Sequence, residues 1–271
     1  MTRTTFHKGL RTWWYLTLFF LYLPLAIVVL FSFNSTRTYS TFRGFTLDWY
    51  FKLFANETIV NAIYNSLTLA VVSSALATVL GSLLGYGMYR YRHLNLGWLV
   101  WFIYLPLVMP DIVYGISQMT FFVRINQATG LLEPGLLTMI IAHISFQIPF
   151  VSLLVYSRLV QLDPQLIEAT EDLYARPWQR AWFFIIPTLR AALISAFFLS
   201  FTLSIDDFVI SFFTAGPEST TLPIFIWSAI KKGITPEINA ISTLMIIAVF
   251  TAAAIGYAIQ RARPASNSSQ P

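Results

Sequence analysis

The sequence contains no cysteine. That excludes a disulfide framework, thiolate chemistry and any cysteine-based metal site. Charge is nearly as scarce, at 11% Asp, Glu, Lys and Arg over 271 residues. Soluble domains carry about 25%, so this chain lacks the charge to cover an ordinary water-facing surface. A phosphate-binding loop is also missing. The lysines are Lys8, Lys52, Lys231 and Lys232, and none follows a Gly-x-x-x-x-Gly run. No paired His/Glu metal spacing and no Ser/Lys or Gly-x-Ser-x-Gly element lies in an apolar stretch, which argues against an intramembrane enzyme. Internal self-similarity is absent too. That argues against, without removing, a stand-alone ion-coupled secondary transporter built around Asp206 and Asp207.

What the chain has instead is apolar length. Hydrophobic residues make up 56% and aromatics 17%. No charged side chain occurs from Thr12 to Thr36, Thr58 to Tyr89, Pro134 to Ser157, or Ile238 to Gln260. Each run exceeds the ~20 residues that cross a ~30 Å hydrocarbon core as a helix. None alternates as a barrel strand would. The expected fold class is therefore all-α, a polytopic integral membrane protein in the lipid bilayer. Six transmembrane helices are expected, near Trp13–Phe33, Ala62–Tyr89, Leu96–Val123, Leu136–Ser157, Ala191–Phe213 and Ile238–Gln260. Eleven of the 17 basic residues fall in one set of loops, among them Arg3, Lys8, Arg90, Arg158, Arg176, Arg180 and Arg261. By the positive-inside rule that set, with both termini, is cytoplasmic. The net charge of +5 thus reports topology and not nucleic-acid binding. The basic-then-apolar start is expected to be an uncleaved signal-anchor, because the apolar run is long and no small-x-small cleavage site follows. The end, PASNSSQP, reads as a disordered tail.

One charged island, EATEDLYARPWQR at 168–180, lies in the cytoplasmic loop between the fourth and fifth spans. Asp163 is a good N-cap and Pro164 suits the first helical position. Leu162, Leu166, Ala169 and Leu173 then share one helical face, and Glu168, Glu171 and Asp172 share another. Pro177 starts a second short helix, and Pro187 is expected to bend the chain as it enters span five. An interfacial anchor on an anionic leaflet would present Lys and Arg. An acidic ridge fits a basic protein partner better.

The stretch Glu168-Ala169-Thr170 … Tyr174 … Phe184-Ile185-Ile186-Pro187 resembles the loop motif of ABC importer permease subunits: Glu-Ala-Ala, three residues, Gly, nine residues, Ile-x-Leu-Pro. LPLVMPDIVYGIS, LSIDDFVISFFTAGP and TTLPIFIWSAIKKGITPEINAISTL look like the spermidine/putrescine-type subfamily. The resemblance implies a permease subunit of an ATP-driven importer in a bacterial inner membrane, and no catalysis on this chain. It implies no cofactor here, with ATP and Mg on a partner. The implied partners are an ATP-binding subunit dimer, a second permease subunit and an extracytoplasmic polyamine-binding protein; nucleic acid is not among them. Glu168, Ala169, Thr170, Glu171, Asp172, Tyr174 and Pro187 would form the ATPase-coupling loop. The implied domains are 1–11, a cytoplasmic N-terminus; 12–61, the first helix and a periplasmic loop; 62–261, a five-helix type-1 transmembrane core; and 262–271, the tail. Tyr174 departs from the family glycine. Either the turn avoids left-handed geometry, or Tyr174 packs on the partner and offsets the strain.

Polar residues inside the spans mark a candidate substrate path. Asp206 lies ~24 Å along a helix from Arg190, in the outer half of the membrane. A charge there is costly unless it faces water or a cation. Asp206 and Asp207 therefore either attract the ammonium groups of a polyamine or form a structural network at a helix end. Other small cationic or amino-acid-like solutes fit the same pair. Asp111 follows Pro110 and either caps a restarted helix or lines the path. His143 and Gln147 are expected to hydrogen-bond between helices. Ala77, Gly81 and Gly85 form a small-residue face, for packing within the fold or on a second subunit. The run GPESTTLPIFIW is expected to line an outer gate.

Overall fold

The computed structural model describes residues 3–36, 41–94, 97–233 and 235–262. The chain is all-helical. Among the described residues the only extended pairing is an isolated bridge between Asn34 and Phe45. Its contacts divide it into two compact units, Met1–Val60 with Ile226–Pro271, and Asn61–Phe225. The tail beyond Ala262, Arg37 and Arg263 lie outside the described residues.

The first unit holds α1 (Arg3–Ser32), α2 (Asp48–Ala55) and α12 (Pro236–Ala262), with α12 packed along both others. Asn34, just after α1, meets Trp49 of α2, whose indole N–H donates to the Asn34 carbonyl at 2.7 Å. Phe33 stacks on Phe45 at 5.0 Å between ring centres, and the Ser32 and Tyr50 hydroxyls meet at 2.8 Å. A large ring with one N–H can be buried only if that donor is satisfied, and here a helix end supplies the acceptor.

The second unit contains α3 (Glu57–Arg90), α4 (Gly97–Val108), α5 (Asp111–Thr129), α6 (Leu136–Val160), α7 (Pro164–Asp172), α8 (Pro177–Arg180), α9 (Ile186–Ile205) and α10 (Val209–Thr214). A further helix, α11 (Leu222–Lys232), follows. Helices in lipid gain little from hydrophobicity itself, so close packing must hold them together. Gly81 and Gly85 provide it. A Cβ on Gly81 would lie 2.6 Å from the Val151 Cβ, and one on Gly85 would lie 2.5 Å from the Ser152 carbonyl oxygen. The small-residue face of α3 thus packs within the fold, against α6. Beside it, Val151, Val155 and Leu159 of α6 join Ile185, Leu189 and Ala196 in one buried cluster.

Among the described residues, four helices are long and apolar enough to cross a membrane: Gly9–Ser32, Glu57–Arg90, Leu136–Val160 and Pro177–Ile205. The α4–α5 pair would make a fifth if counted as one span. Two spans depart from regular helices. The third span is not one helix; α4 and α5 meet at an angle of 107°. Pro106 and Pro110 remove two backbone donors, and Pro110 disfavours α geometry at Met109. At the entry to span five, Pro187 is accommodated without interrupting the helix. The chain stays helical from Pro177 to Ile205, through one wider π turn at Ala181–Ile185. Pro187 cannot donate to the carbonyl four residues back and its ring would clash there; a wider turn just before it makes room.

Candidate functional site

The loop after α6 follows the sequence reading closely at its start. The Asp163 carboxylate accepts from the Gln165 N–H at 2.9 Å, and Pro164 opens α7. Ala169 and Asp172 are exposed on α7 and Thr170 is half-buried. The side chains of Glu168 and Glu171 lie outside the described part of the structure. Tyr174 ends the turn with φ of 53°, a left-handed conformation. The turn therefore keeps the geometry the family glycine serves, and a tyrosine adopts it. Its side chain is 94% exposed, and Leu173, Trp178, Trp182 and Phe183 are exposed nearby. The Arg176 N–H donates to the Gln179 side chain at 2.8 Å, which caps α8.

A second site lies where span five is interrupted. The sequence pattern implies one helix through Asp206 and Asp207 to Phe213. Instead α9 stops at Ile205, and α10 restarts at Val209. The Asp207 carboxylate accepts from the backbone N–H groups of Ile210 at 3.3 Å and Ser211 at 2.8 Å, so it satisfies the new helix start. It also lies 3.4 Å from Nε2 of His143. Asp206 lies outside this network and is exposed. The two adjacent carboxylates are thus in different environments.

His143, 1% exposed on α6, is the centre of the network. Its Nδ1 lies 2.8 Å from the Ser204 hydroxyl on α9, and its Nε2 lies 3.0 Å from the Ser211 hydroxyl on α10. Ser204 continues to Ser73 on α3 at 3.3 Å, and the Gln147 amide donates to Ser73 at 3.3 Å. His143 and Gln147 do bond between helices, as their positions imply. Ser73, Ser204 and Ser211 are members of this network that sequence reasoning misses. Their only signal is that each is a small hydroxyl in an otherwise apolar helix.

Asp111 does begin the restarted helix, but its side chain makes no capping bond and is exposed. Its charge still suits the first turn, where backbone N–H groups are unpaired. Gly115, one turn on, lets α10 approach; a Cβ there would meet the Phe213 ring at 2.9 Å. The segment after α10 is strapped down. The Asn65 amide donates to the carbonyls of Glu218 and Thr220 at 3.1 Å each, and the Leu222 N–H donates to Ser66 at 2.7 Å. The Thr138 hydroxyl donates to the Thr214 carbonyl at 2.9 Å.

Residues 77–263 match the family model described as binding-protein-dependent transport system inner membrane component. The chain belongs to that family. This permease is a multi-pass inner-membrane transport component. It is 37% identical over 228 residues to the spermidine/putrescine transport system permease protein PotC of Escherichia coli K12, covering 84% of each chain. It is also 37% identical over 232 residues to the putrescine transport system permease protein PotI of the same organism, covering 85% of this chain and 83% of that one. Among solved structures, the permease resembles a chain of a bacterial alginate ABC transporter in complex with an alginate pentasaccharide-bound periplasmic protein. The TM-score is 0.70 at 16% identity, over 91% of this chain and 90% of that one. A chain of the inward-facing MetNI methionine ABC transporter aligns with a TM-score of 0.63 at 18% identity, over 80% and 98%. At these identities the structural matches speak for the fold alone.

Proposed function

We propose that this permease forms part of the membrane path of an ATP-driven importer of polyamines, putrescine or spermidine. The likeness to PotC over 84% of the chain carries the substrate class. The exposed Asp206 at the break in span five supports it, since a carboxylate inside a membrane needs water or a cation beside it. An extended ammonium-bearing solute supplies that cation, and aromatic faces add to its attraction. Asp111 is a second carboxylate for the path.

In this reading the chain crosses the membrane six times, with both termini in the cytoplasm. The α7–α8 loop docks on an ATP-binding subunit dimer, which holds ATP and Mg; no cofactor belongs to this chain. Glu168 pairs with a basic side chain of that subunit. A second permease subunit completes the path, and an extracytoplasmic binding protein delivers the solute. The partner's closure on nucleotide would move the loop as a rigid body and tilt the spans.

Uptake of labelled putrescine and spermidine, with Asp206→Asn and Asp207→Asn beside wild type, tests the reading. Wild type is expected to import at least one polyamine. Asp206→Asn is expected to lower that uptake at unchanged abundance in the membrane. Import by Asp206→Asn equal to wild type would remove Asp206 from the path.

A further inference from the structure

The broken fifth span needs something to hold its two halves, and the polar network around His143 has the right connections. Ser204 lies just before the break and Ser211 just after it, and His143 bonds to both from a third helix. The donors also run in one direction. The Gln147 amide donates to Ser73. Ser73 can then donate to Ser204, and Ser204 to Nδ1 of His143, across the 3.3 and 2.8 Å contacts. That leaves Nε2–H to face Ser211 and the Asp207 carboxylate, which when ionised only accepts. One neutral tautomer of His143 satisfies every contact. No net charge beyond that of Asp207 is then placed in the unit's interior, where charge is costly.

We propose that His143, as its Nε2–H tautomer, is the positioning residue of the substrate path. It ties α9 to α10 across the break and keeps Asp207 on the start of α10. Asp207 is thereby a structural carboxylate, and Asp206 is the one of the pair left open to a cationic solute. This rests on the transport reading above. It assigns to His143 a role that acts through the helix break and not by touching substrate.

The test uses the full chain expressed with its partner subunits. His143→Leu keeps roughly the same volume and removes both nitrogens. His143→Gln restores one donor and one acceptor. At matched membrane abundance, His143→Leu is expected to lower the maximal rate of polyamine uptake at least about tenfold, with the half-saturating concentration within about twofold of wild type. His143→Gln is expected to recover at least about half the rate, because its amide replaces both bonds. The double variant with Asp207→Asn is expected to be no worse than the poorer single variant, as for two groups in one network. Equal impairment of the Gln and Leu variants, wild-type uptake by His143→Leu, or losses that multiply in the double variant would each overturn the proposal.

A second readout does not depend on the substrate. The chain has no cysteine, so Ile210→Cys provides a single thiol at a position buried in the structure. Its labelling by a small maleimide is expected to be slow when His143 is intact and when it is replaced in H143Q. In the H143L background labelling is expected to be at least about fivefold faster, as local opening raises access. Equal labelling in all backgrounds would overturn the pinning role. Failure of wild type to import either polyamine would instead remove the substrate reading and leave the labelling result standing. Should His143→Leu not accumulate, His143→Asn takes its place. It offers a group near Nδ1 but nothing at Nε2, and is expected to fail in both readouts where His143→Gln does not.

Discussion

Tyr174 holds φ at 53° on a turn where its side chain is 94% exposed. A non-glycine residue in that region costs about 1 kcal/mol. Strain of this kind persists where surrounding contacts over-determine it, and a side chain so exposed receives little such support from its own chain. In the proposed assembly, the compensation is expected from the ATP-binding subunit. Tyr174→Gly should raise the stability of the isolated permease by about 1 kcal/mol and weaken its retention of that subunit on co-purification. A variant that holds the subunit as tightly as wild type would mean that Tyr174 makes no contact there. The same scale separates Asp206 from Asp207. In the sequence they are indistinguishable neighbours. In the fold one is exposed and the other is committed to two backbone N–H groups and His143.

At the scale of elements, the long apolar helices are legible because long uncharged runs leave little else to build. The loop helices are legible because Asp163, Pro164 and Pro177 are local signals that act within one turn. The breaks are harder. The α4–α5 corner carries Pro106 and Pro110, yet a proline inside an apolar run is compatible with either a tolerated kink or a reversal. Pro149 shows the first outcome, within α6, and Pro110 the second. The break after Ile205 has no proline or glycine at all. It exists because Asp207 can satisfy a new helix start and His143 can bind both sides, and those contacts span 61 to 68 positions of sequence. The π turn before Pro187 is illegible for a similar reason: the sequence signals a defect but not how it is absorbed. Gly85 tests the packing between elements. A side chain there would drive the Ser152 carbonyl and the Val155 Cβ away, so Gly85→Val should cost about 1–3 kcal/mol and reduce the amount of folded protein in the membrane. Wild-type abundance and thermal stability in that variant would show that α3 and α6 are not in close contact.

For the whole molecule, the proposed function joins two features. One is a charged loop with an exposed apolar margin of Leu173, Trp178, Trp182 and Phe183. The other is an interrupted span with a carboxylate left open. In the proposed reading, a nucleotide-driven partner moves the first and the second responds. Membership of the family makes the chain a transport component, and its scarcity of charge makes the few charged groups inside it the first candidates for working parts. The most direct test is uptake of labelled polyamine into proteoliposomes holding the complete assembly, with binding protein outside and ATP with Mg inside, comparing wild type with Glu168→Ala. Wild type is expected to accumulate polyamine only when ATP is present, and Glu168→Ala to lose most of that accumulation while the permease remains in the membrane. Accumulation without ATP, or undiminished uptake by Glu168→Ala, would contradict a loop that is driven by the partner.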